Sequence, residues 1–535
     1  MTDTTINDSW LTSAKAFLHP RVVTMLFLGF SAGVPILLIF SSLSLWLGEA
    51  GVKKSAVTFF SWAALGYSFK FVWAPLVDKL PLPLLTRWLG RRRGWLLLSQ
   101  LAVMGSIIWM AMTDPATHTG SLTMMALAAV ALGFSSATQD IVIDAYRIES
   151  AGKDLQALMS STYIAGYRIG MLVAGAGALF LAAKFGSTKE AYSYAAWMKT
   201  YIAMAGVMLI GVMTTLMVRE PAQYRPDESK YTTRDYLRFL LVFVIAVLVF
   251  ILAFRLIGWG SLTDTIKKSL TELFANKRIA GFLVETCRLW LSILAAWIAA
   301  WLMIRFGLAN RTMVYESYID PVKDFFKRYG MGLALLLLAI VGLYRVSDIV
   351  MGVVANLFYQ DTGFTKEQIA AVSKTFGLLA TIAGGFIGGL MALRFGVIRV
   401  LFLGAVLSAI TNLLFVLLAK TGPSIELLYL VIAADNISAG IATAAFIAFL
   451  SSLTNISFTA VQYAIFSSLM TLFPKLLGGY SGTMVENMGY SSFFIMTALL
   501  TIPVLILIPI AGRFLAKAED IVQATEPADK TLKNE

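Results

Sequence analysis

The sequence is poor in the residues that build most enzyme centres. It has one cysteine, Cys287, and two histidines, His19 and His118. A single thiol excludes an internal disulfide framework and a CxxC redox pair. Neither histidine lies in an apolar run, and a His/Cys metal site needs three or four convergent ligands, so no metal site is expected. No P-loop glycine pattern occurs, which argues against nucleotide hydrolysis. Charge is scarce as well. Only 14% of the residues are Asp, Glu, Lys or Arg, against about 25% in soluble domains. Hydrophobic residues make up 58% of the chain, and the composition is that of an integral membrane protein. Residues 1–20 lack the basic start, short apolar core and small-residue cleavage site of a secretory leader, and read as a cytoplasmic extension.

The formal net charge is +12. The basic residues cluster between apolar runs, so this excess is a topology signal and not a nucleic-acid footprint. A spanning helix needs about 20 mostly apolar residues. By that rule fourteen spans are expected, at 22–47, 56–79, 95–112, 122–146, 158–183, 195–218, 236–257, 281–305, 331–357, 370–393, 398–419, 425–451, 458–478 and 490–512. With the N-terminus inside, the cytoplasmic segments carry roughly twice as many Lys and Arg as the outer ones. The loop with Lys79, Arg87, Arg91, Arg92 and Arg93 weighs most. Both termini are therefore expected in the cytoplasm. The segment 258–280 goes against the rule, with Lys267, Lys268, Lys277 and Arg278, and reads as an amphipathic interfacial segment.

Setting aside 236–257 and 281–305 leaves six spans before residue 220 and six after 330. Two six-helix halves joined by a long connection resemble the layout of major facilitator transporters, with the site at mid-membrane between the halves. The expected fold is all-α: a half at 1–220, a central insert at 221–330 with two transmembrane helices and an amphipathic segment, a half at 331–515, and a polar cytoplasmic tail at 516–535.

Ionisable residues inside the apolar runs carry the functional signal. A charge near the bilayer centre costs at least ~2.5 kcal/mol, so it faces a partner or a water-filled cavity. Asp140 and Asp144 share one helix face at i and i+4. A carboxyl poised between burial, a like charge and a cation can load and release a proton. Arg168 lies roughly 16 Å from the cytoplasmic end of its span by helical rise. It could reach Asp140 either as part of a working charge network or as a static ion pair. Asp144 is nearer the interface, where it could simply be solvated. Arg345 and Asp348, at i and i+3, could neutralise each other or serve substrate and proton. Asp435, beside Asn436, is mid-span. Lys70 is deep in its run; Lys374 is near an outer end, from which it could snorkel. Gln462 and Tyr463 open their span. Tyr67, Trp62, Tyr163, Tyr167, Tyr344 and Tyr463 fall near these polar positions, where aromatic faces could stack on sugar rings or pack and anchor. The glycines of Gly166-Tyr167-Arg168-Ile169-Gly170 and Gly384-Gly385-Phe386-Ile387-Gly388-Gly389 read as close helix contacts.

The stretch from Gly66 to Trp95, with Asp78 followed by Gly90-Arg91-Arg92-Arg93-Gly94, resembles the signature loop of major facilitators. That resemblance implies a gate in which Asp78 pairs with Arg147 or Arg92; the arginines could also serve topology alone. The corresponding place near Arg394 has no aspartate. Five blocks together are more specific: Phe69-Lys70-Phe71-Val72-Trp73-Ala74-Pro75-Leu76-Val77-Asp78, Ser136-Ala137-Thr138-Gln139-Asp140-Ile141-Val142-Ile143-Asp144-Ala145, Gly166-Tyr167-Arg168-Ile169-Gly170-Met171-Leu172, Lys374-Thr375-Phe376-Gly377-Leu378-Leu379-Ala380-Thr381-Ile382, and Ser457-Phe458-Thr459-Ala460-Val461-Gln462-Tyr463-Ala464. They resemble the AmpG muropeptide permease family over roughly 22–220 and 331–515. The resemblance implies proton-driven import of N-acetylglucosaminyl-1,6-anhydro-N-acetylmuramic acid and its peptides across the bacterial inner membrane. These products feed peptidoglycan recycling and, in some bacteria, β-lactamase induction. The chain departs from the family layout in placing its extra spans between the halves.

The expected function is a proton-coupled muropeptide importer, working as a monomer without a cofactor. Substrate would meet Lys70, Gln139, Tyr163, Tyr167, Arg168, Tyr344, Arg345, Lys374, Gln462 and Tyr463, the cations binding its carboxylates. Asp140, Asp144, Asp348 and Asp435 would carry or balance protons, and Asp78, Arg92 and Arg147 would form the gate. The alternative is a related carrier for acetyl-CoA or a peptide- or siderophore-like solute. Such a cargo calls for more unpaired basic residues, whereas here aspartates offset the cations of each half. A membrane-embedded acyl or glycosyl transferase is disfavoured by the lack of an intramembrane His and of a DxD motif. A structural protein would not explain so many intramembrane charges.

Overall fold

The computed structural model describes residues 15–52, 65–117, 119–188, 191–221, 231–258, 261–274, 277–478 and 480–525. Every regular element among them is a helix. This follows from the medium: with no water to satisfy N–H and C=O groups in hydrocarbon, each spanning segment must close its own hydrogen bonds. Thirteen helices are long and apolar enough to cross a membrane. In chain order they are α1 (Pro20–Glu49), α2 (Arg91–Ala111), α3 (Gly120–Ser150), α4 (Leu155–Lys184), α5 (Tyr194–Met217), α6 (Thr233–Gly258), α7 (Thr286–Arg305), α8 (Arg311–Ala355), α9 (Ala371–Phe395), α10 (Val397–Thr421), α11 (Ile425–Leu453), α12 (Ile456–Lys475) and α13 (Met484–Leu515). They coincide with thirteen of the fourteen expected spans. The remaining one, 56–79, falls partly on residues 53–64, outside the described residues. Its described part is broken into Leu65–Phe69, a 3-10 turn Lys70–Val72 and Ala74–Lys79.

Several spans are interrupted where the sequence demands it. α1 starts with Pro20 in its first turn, capped by His19, whose Nδ1 accepts the Arg21 amide at 3.3 Å. Proline suits this place because its missing N–H would have no helical partner. Inside α8, Gly330 takes φ 70° and offsets the preceding stretch from the span proper. The same span breaks again between Leu343 and Val346, at Arg345.

The chain divides into two compact units, one of residues 1–77, 81–224 and 325–535, the other of 78–80 and 225–324. The larger unit contains both halves. In the first half, α1 and α4 cross through glycine. A Cβ at Gly29 or Gly33 would lie 2.2 or 2.0 Å from the carbonyl oxygens of Tyr163 and Tyr167. One at Gly166 or Gly170 would lie 1.9 or 2.2 Å from those of Leu26 and Phe30. Only hydrogen fits at all four, so the two backbones touch, which is how membrane helices gain packing without a hydrophobic drive. The second half repeats the device between α9 and α11, with Gly384 and Gly388 against Ile437 and Ile441. The core of the first half stacks Trp46 on Trp197 at 5.6 Å; that of the second stacks Tyr344 on Phe446 at 4.5 Å. The halves meet where α4 passes α9, with Ser161 filling the place a Cβ of Gly389 would need.

The smaller unit holds the hairpin of α6 and α7 and, between them, the amphipathic helix Ser261–Phe274. Arg288 of α7 fastens the hairpin. Its Nε donates to the carbonyl of Phe254 at 2.7 Å, and its guanidinium lies 3.8 Å from that residue's ring centre. At the other end Tyr231 donates to Glu316 at 2.6 Å.

Candidate functional site

The polar residues of α3 set one side of the site. Spacings of four and three put Asp140, Asp144 and Arg147 on one helix face. Asp144 is held twice, by Lys70 Nζ at 3.5 Å and by Arg147 Nη2 at 3.4 Å. Arg147 reaches further. Its Nη1 donates to Ser160 Oγ at 3.2 Å and, across to the second half, to Ser451 Oγ at 2.6 Å. Its guanidinium also lies 5.2 Å above the Tyr463 ring. Asp140 contrasts with its neighbour. It is 8% exposed, its Oδ1 has no hydrogen-bond partner, and among the described residues it makes no ion pair. Tyr67, Tyr163 and Tyr167 lie within its field. Gln139 donates to Ser31 Oγ at 3.3 Å, and its Oε1 is without a partner.

The second half supplies the facing side. Arg345, at the helix break, donates to Thr443 Oγ1 at 2.5 Å and lies 3.8 Å from Asp348. Asp348 also accepts from Ser408 at 2.5 Å. Asp435 accepts from Thr411 at 3.4 Å and lies within the fields of Asp348 and Arg345. The side chains of Arg345 and Asp348 keep 21% and 20% exposure in mid-span. Charges left open at that depth line a polar cleft, since lipid would not solvate them. Arg168 joins them from α4. It is partly exposed, and among the described residues it has no ion pair or hydrogen bond. The static Arg168–Asp140 pair is therefore not formed. Instead the charge of Arg168 is opposed by that of Arg345, from the other half.

Other expected residues lie elsewhere. Tyr344 turns into the core, where its hydroxyl donates to the Leu401 carbonyl at 3.0 Å. Its place is packing, because the break at Arg345 aims the two neighbours in different directions. Gln462 accepts from the Asn455 amide at 2.7 Å and from Arg328 at 3.0 Å, so it fastens the turn before α12. Tyr463 lies under Arg147. The Lys374 side chain lies outside the described residues. Asp78 is buried. Arg92 forms an ion pair with Glu149, and Arg147 one with Asp144.

Glu149 was not among the expected site residues. It is 2% exposed and accepts from Arg92 Nε at 3.0 Å, from Arg92 Nη2, and from Thr459 of the second half. Arg92 itself donates to Thr459 at 2.8 Å. The signal available in the sequence was an acid just past the expected end of the 122–146 span, two residues after Arg147. Arg93 has a different role: it donates to the carbonyls of Thr215 and Leu216 at 3.0 and 2.8 Å, closing the end of α5.

Two membrane-embedded halves meeting at a polar cleft, latched at one end, define a major facilitator transporter. Solved structures agree. The proton:xylose symporter XylE bound to 6-bromo-6-deoxy-D-glucose superposes with a TM-score of 0.56 at 13% identity, covering 92% of this chain and 94% of its own. The Escherichia coli fucose:proton symporter FucP gives 0.57 at 9% identity, covering 92% and 97%. In sequence, the family model for acetyl-coenzyme A transporter 1 matches residues 21–238. A putative transporter AmpG 4 of Rickettsia felis is 31% identical over 494 residues, 92% of this chain and 97% of the relative. The anhydromuropeptide permease of Escherichia coli K12 is 28% identical over 495 residues, 92% and 80%. The chain belongs to the AmpG family of transporters.

Proposed function

We propose that this protein imports peptidoglycan turnover products, the anhydro-disaccharide and its peptides, together with protons. The route runs from periplasm to cytoplasm across the bacterial inner membrane, with both termini cytoplasmic, and feeds cell-wall recycling and, where present, β-lactamase induction. The observation that carries this reading is Arg168. Among the described residues it is a cation without a partner, opposed by Arg345 from the other half, and so a place waiting for an anion. A muropeptide carboxylate satisfies it with two parallel hydrogen bonds, and Tyr163 and Tyr167 offer rings to the sugars. Asp140, with no cation of its own, is the carboxyl that takes up the proton in the first half. Uptake of labelled GlcNAc-anhydroMurNAc-tripeptide into proteoliposomes, outside acidic, is the direct test. Accumulation above equilibrium that a protonophore abolishes is the expected result. The acetyl-CoA match favours a second reading, in which acetyl-CoA and not the muropeptide is taken up; that result overturns the first.

Asp140→Asn should lower gradient-driven accumulation at least ~10-fold while solute counterflow continues, because the titratable group is lost and the binding groups are kept. Accumulation at the parent level would move the proton site elsewhere.

Arg92, Glu149 and Thr459 close the end of the molecule that carries the basic loop. Removing one partner of a buried pair costs about 3–5 kcal/mol, since the other charge is stranded. Glu149→Gln should therefore favour opening at that end. In a Cys287→Ser background, a cysteine at Ala74, fully buried here, should label several-fold faster in Glu149→Gln than in its parent. Equal rates would refute the latch.

A further inference from the structure

The two halves repeat one arrangement of charge. In the first, Asp144 is claimed by two cations, Lys70 at 3.5 Å and Arg147 at 3.4 Å. Asp140, one helical turn away, has no cation within ion-pair distance among the described residues, and its Oδ1 is unpartnered. In the second, Asp348 is claimed by Arg345 at 3.8 Å and by the Ser408 hydroxyl at 2.5 Å. Among the described residues Asp435 has only the Thr411 hydroxyl, at 3.4 Å. Each half thus pairs a neutralised carboxylate with a second one that has no counter-ion among the described residues. We propose that Asp435 is a second proton site, equivalent to Asp140, so that two protons accompany each solute molecule.

The groups facing each site support this division. Asp140 meets Lys70 from the segment before the basic loop, Asp144 on its own helix, and Tyr67, Tyr163 and Tyr167. Lys70 is committed to Asp144. Asp435 meets Arg345 and Asp348 from α8, Thr411 from α10, and Tyr359. Arg345 is committed to Asp348. A carboxyl shut from water, without its own cation and beside a second carboxylate, favours the neutral form. Its hydroxyl neighbours can accept the new O–H as readily as they donate to the ionised group.

Counting the four cations and four carboxylates that surround the two sites gives the consequence. Lys70, Arg147, Arg168 and Arg345 are cations; Asp140, Asp144, Asp348 and Asp435 are carboxylates. Fully ionised, they balance. With Asp140 and Asp435 protonated, two positive charges are in surplus: that of Arg168, and one from Lys70 and Arg147, which share the single carboxylate of Asp144. Proton loading then raises affinity for an anion, and by reciprocity the anion raises affinity for protons. One proton would only cancel a single negative charge on the solute. For a solute with a single negative charge, a second proton makes the loaded carrier positive, so that an inside-negative potential pulls it inward.

The stoichiometry rests on the proposed anionic solute; the protonation of Asp435 does not, and the test separates them. Infrared titration of the reconstituted protein, without solute, reads the C=O stretch of protonated carboxyls directly. On acidification the parent spectrum, less that of the Asp140→Asn, Asp435→Asn double variant so that all other carboxyls cancel, should show two such bands. Asp140→Asn and Asp435→Asn should each lose a different one. Asp435→Glu, which keeps a carboxyl, should shift its band, so the assignment survives if the amide variant does not fold. A spectrum unchanged by both substitutions at Asp435 overturns the proposal. In the second arm, proteoliposomes clamped at zero potential are given GlcNAc-anhydroMurNAc-tripeptide. A tenfold proton gradient should hold about a hundredfold solute gradient in the parent and about tenfold in Asp435→Asn. About tenfold in the parent overturns two-proton coupling. If the parent takes up no muropeptide, the solute reading fails and the infrared bands alone decide the proton site.

Discussion

Arg168→Ala should abolish uptake while leaving the protein folded and inserted. Among the described residues the guanidinium holds nothing in place: it makes no ion pair or hydrogen bond, and the charge of Arg345 opposes it. Removing it relieves repulsion and strands no carboxylate, so stability should change little. Binding should suffer, because a desolvated anion loses its forked donor. Arg168→Lys keeps the charge but not the fork, and uptake should fall ~10-fold or more. The double variant with Asp140→Ala should be as inactive as Arg168→Ala, because no pair exists for the second change to release. Uptake normalised to protein in the membrane checks all three. Full activity in Arg168→Ala would remove it from the solute site.

Gly166→Leu should prevent the first half from assembling. The first atom of any side chain at this position would lie 1.9 Å from the Leu26 carbonyl oxygen. That neighbour is backbone, so no rotamer change makes room and α1 must move away from α4. Ordinary overpacking costs about 1–3 kcal/mol. Here the displaced object is a whole helix, and its contact at Gly29, Gly33 and Gly170 goes with it. No monodisperse protein should be recovered in detergent. Gly166→Ala should be damaging too, with the protein recovered in reduced yield. Gly206→Leu is the control: nothing lies within 4 Å of a Cβ there, and it should be silent. A well-behaved Gly166→Leu protein would mean that the close crossing is dispensable.

The spans and their packing face could be read along the chain because a bilayer imposes local rules. Twenty apolar residues, and glycines one turn apart as at Gly166 and Gly170, announce themselves within a window. An ion in an apolar run does the same, which is why Asp140, Arg168, Arg345 and Asp435 stood out. Which charges pair is a different kind of fact. Lys70 takes Asp144 and leaves Asp140, a choice that depends on where a broken helix aims one long side chain. Tyr344 and Arg345 are adjacent, yet one is in the core and the other in the cleft, because a helical break separates them. The latch joins Glu149 to Thr459, 310 residues apart. No local pattern marks such a contact, since it is made where the two halves meet.

The α6–α7 hairpin has a consequence for how the chain is threaded. Both of its helices are long and apolar enough to cross a bilayer, and two crossings return a chain to the side it left. An inserted single span would turn whatever follows it upside down. A strip folded twice still shows its printed face.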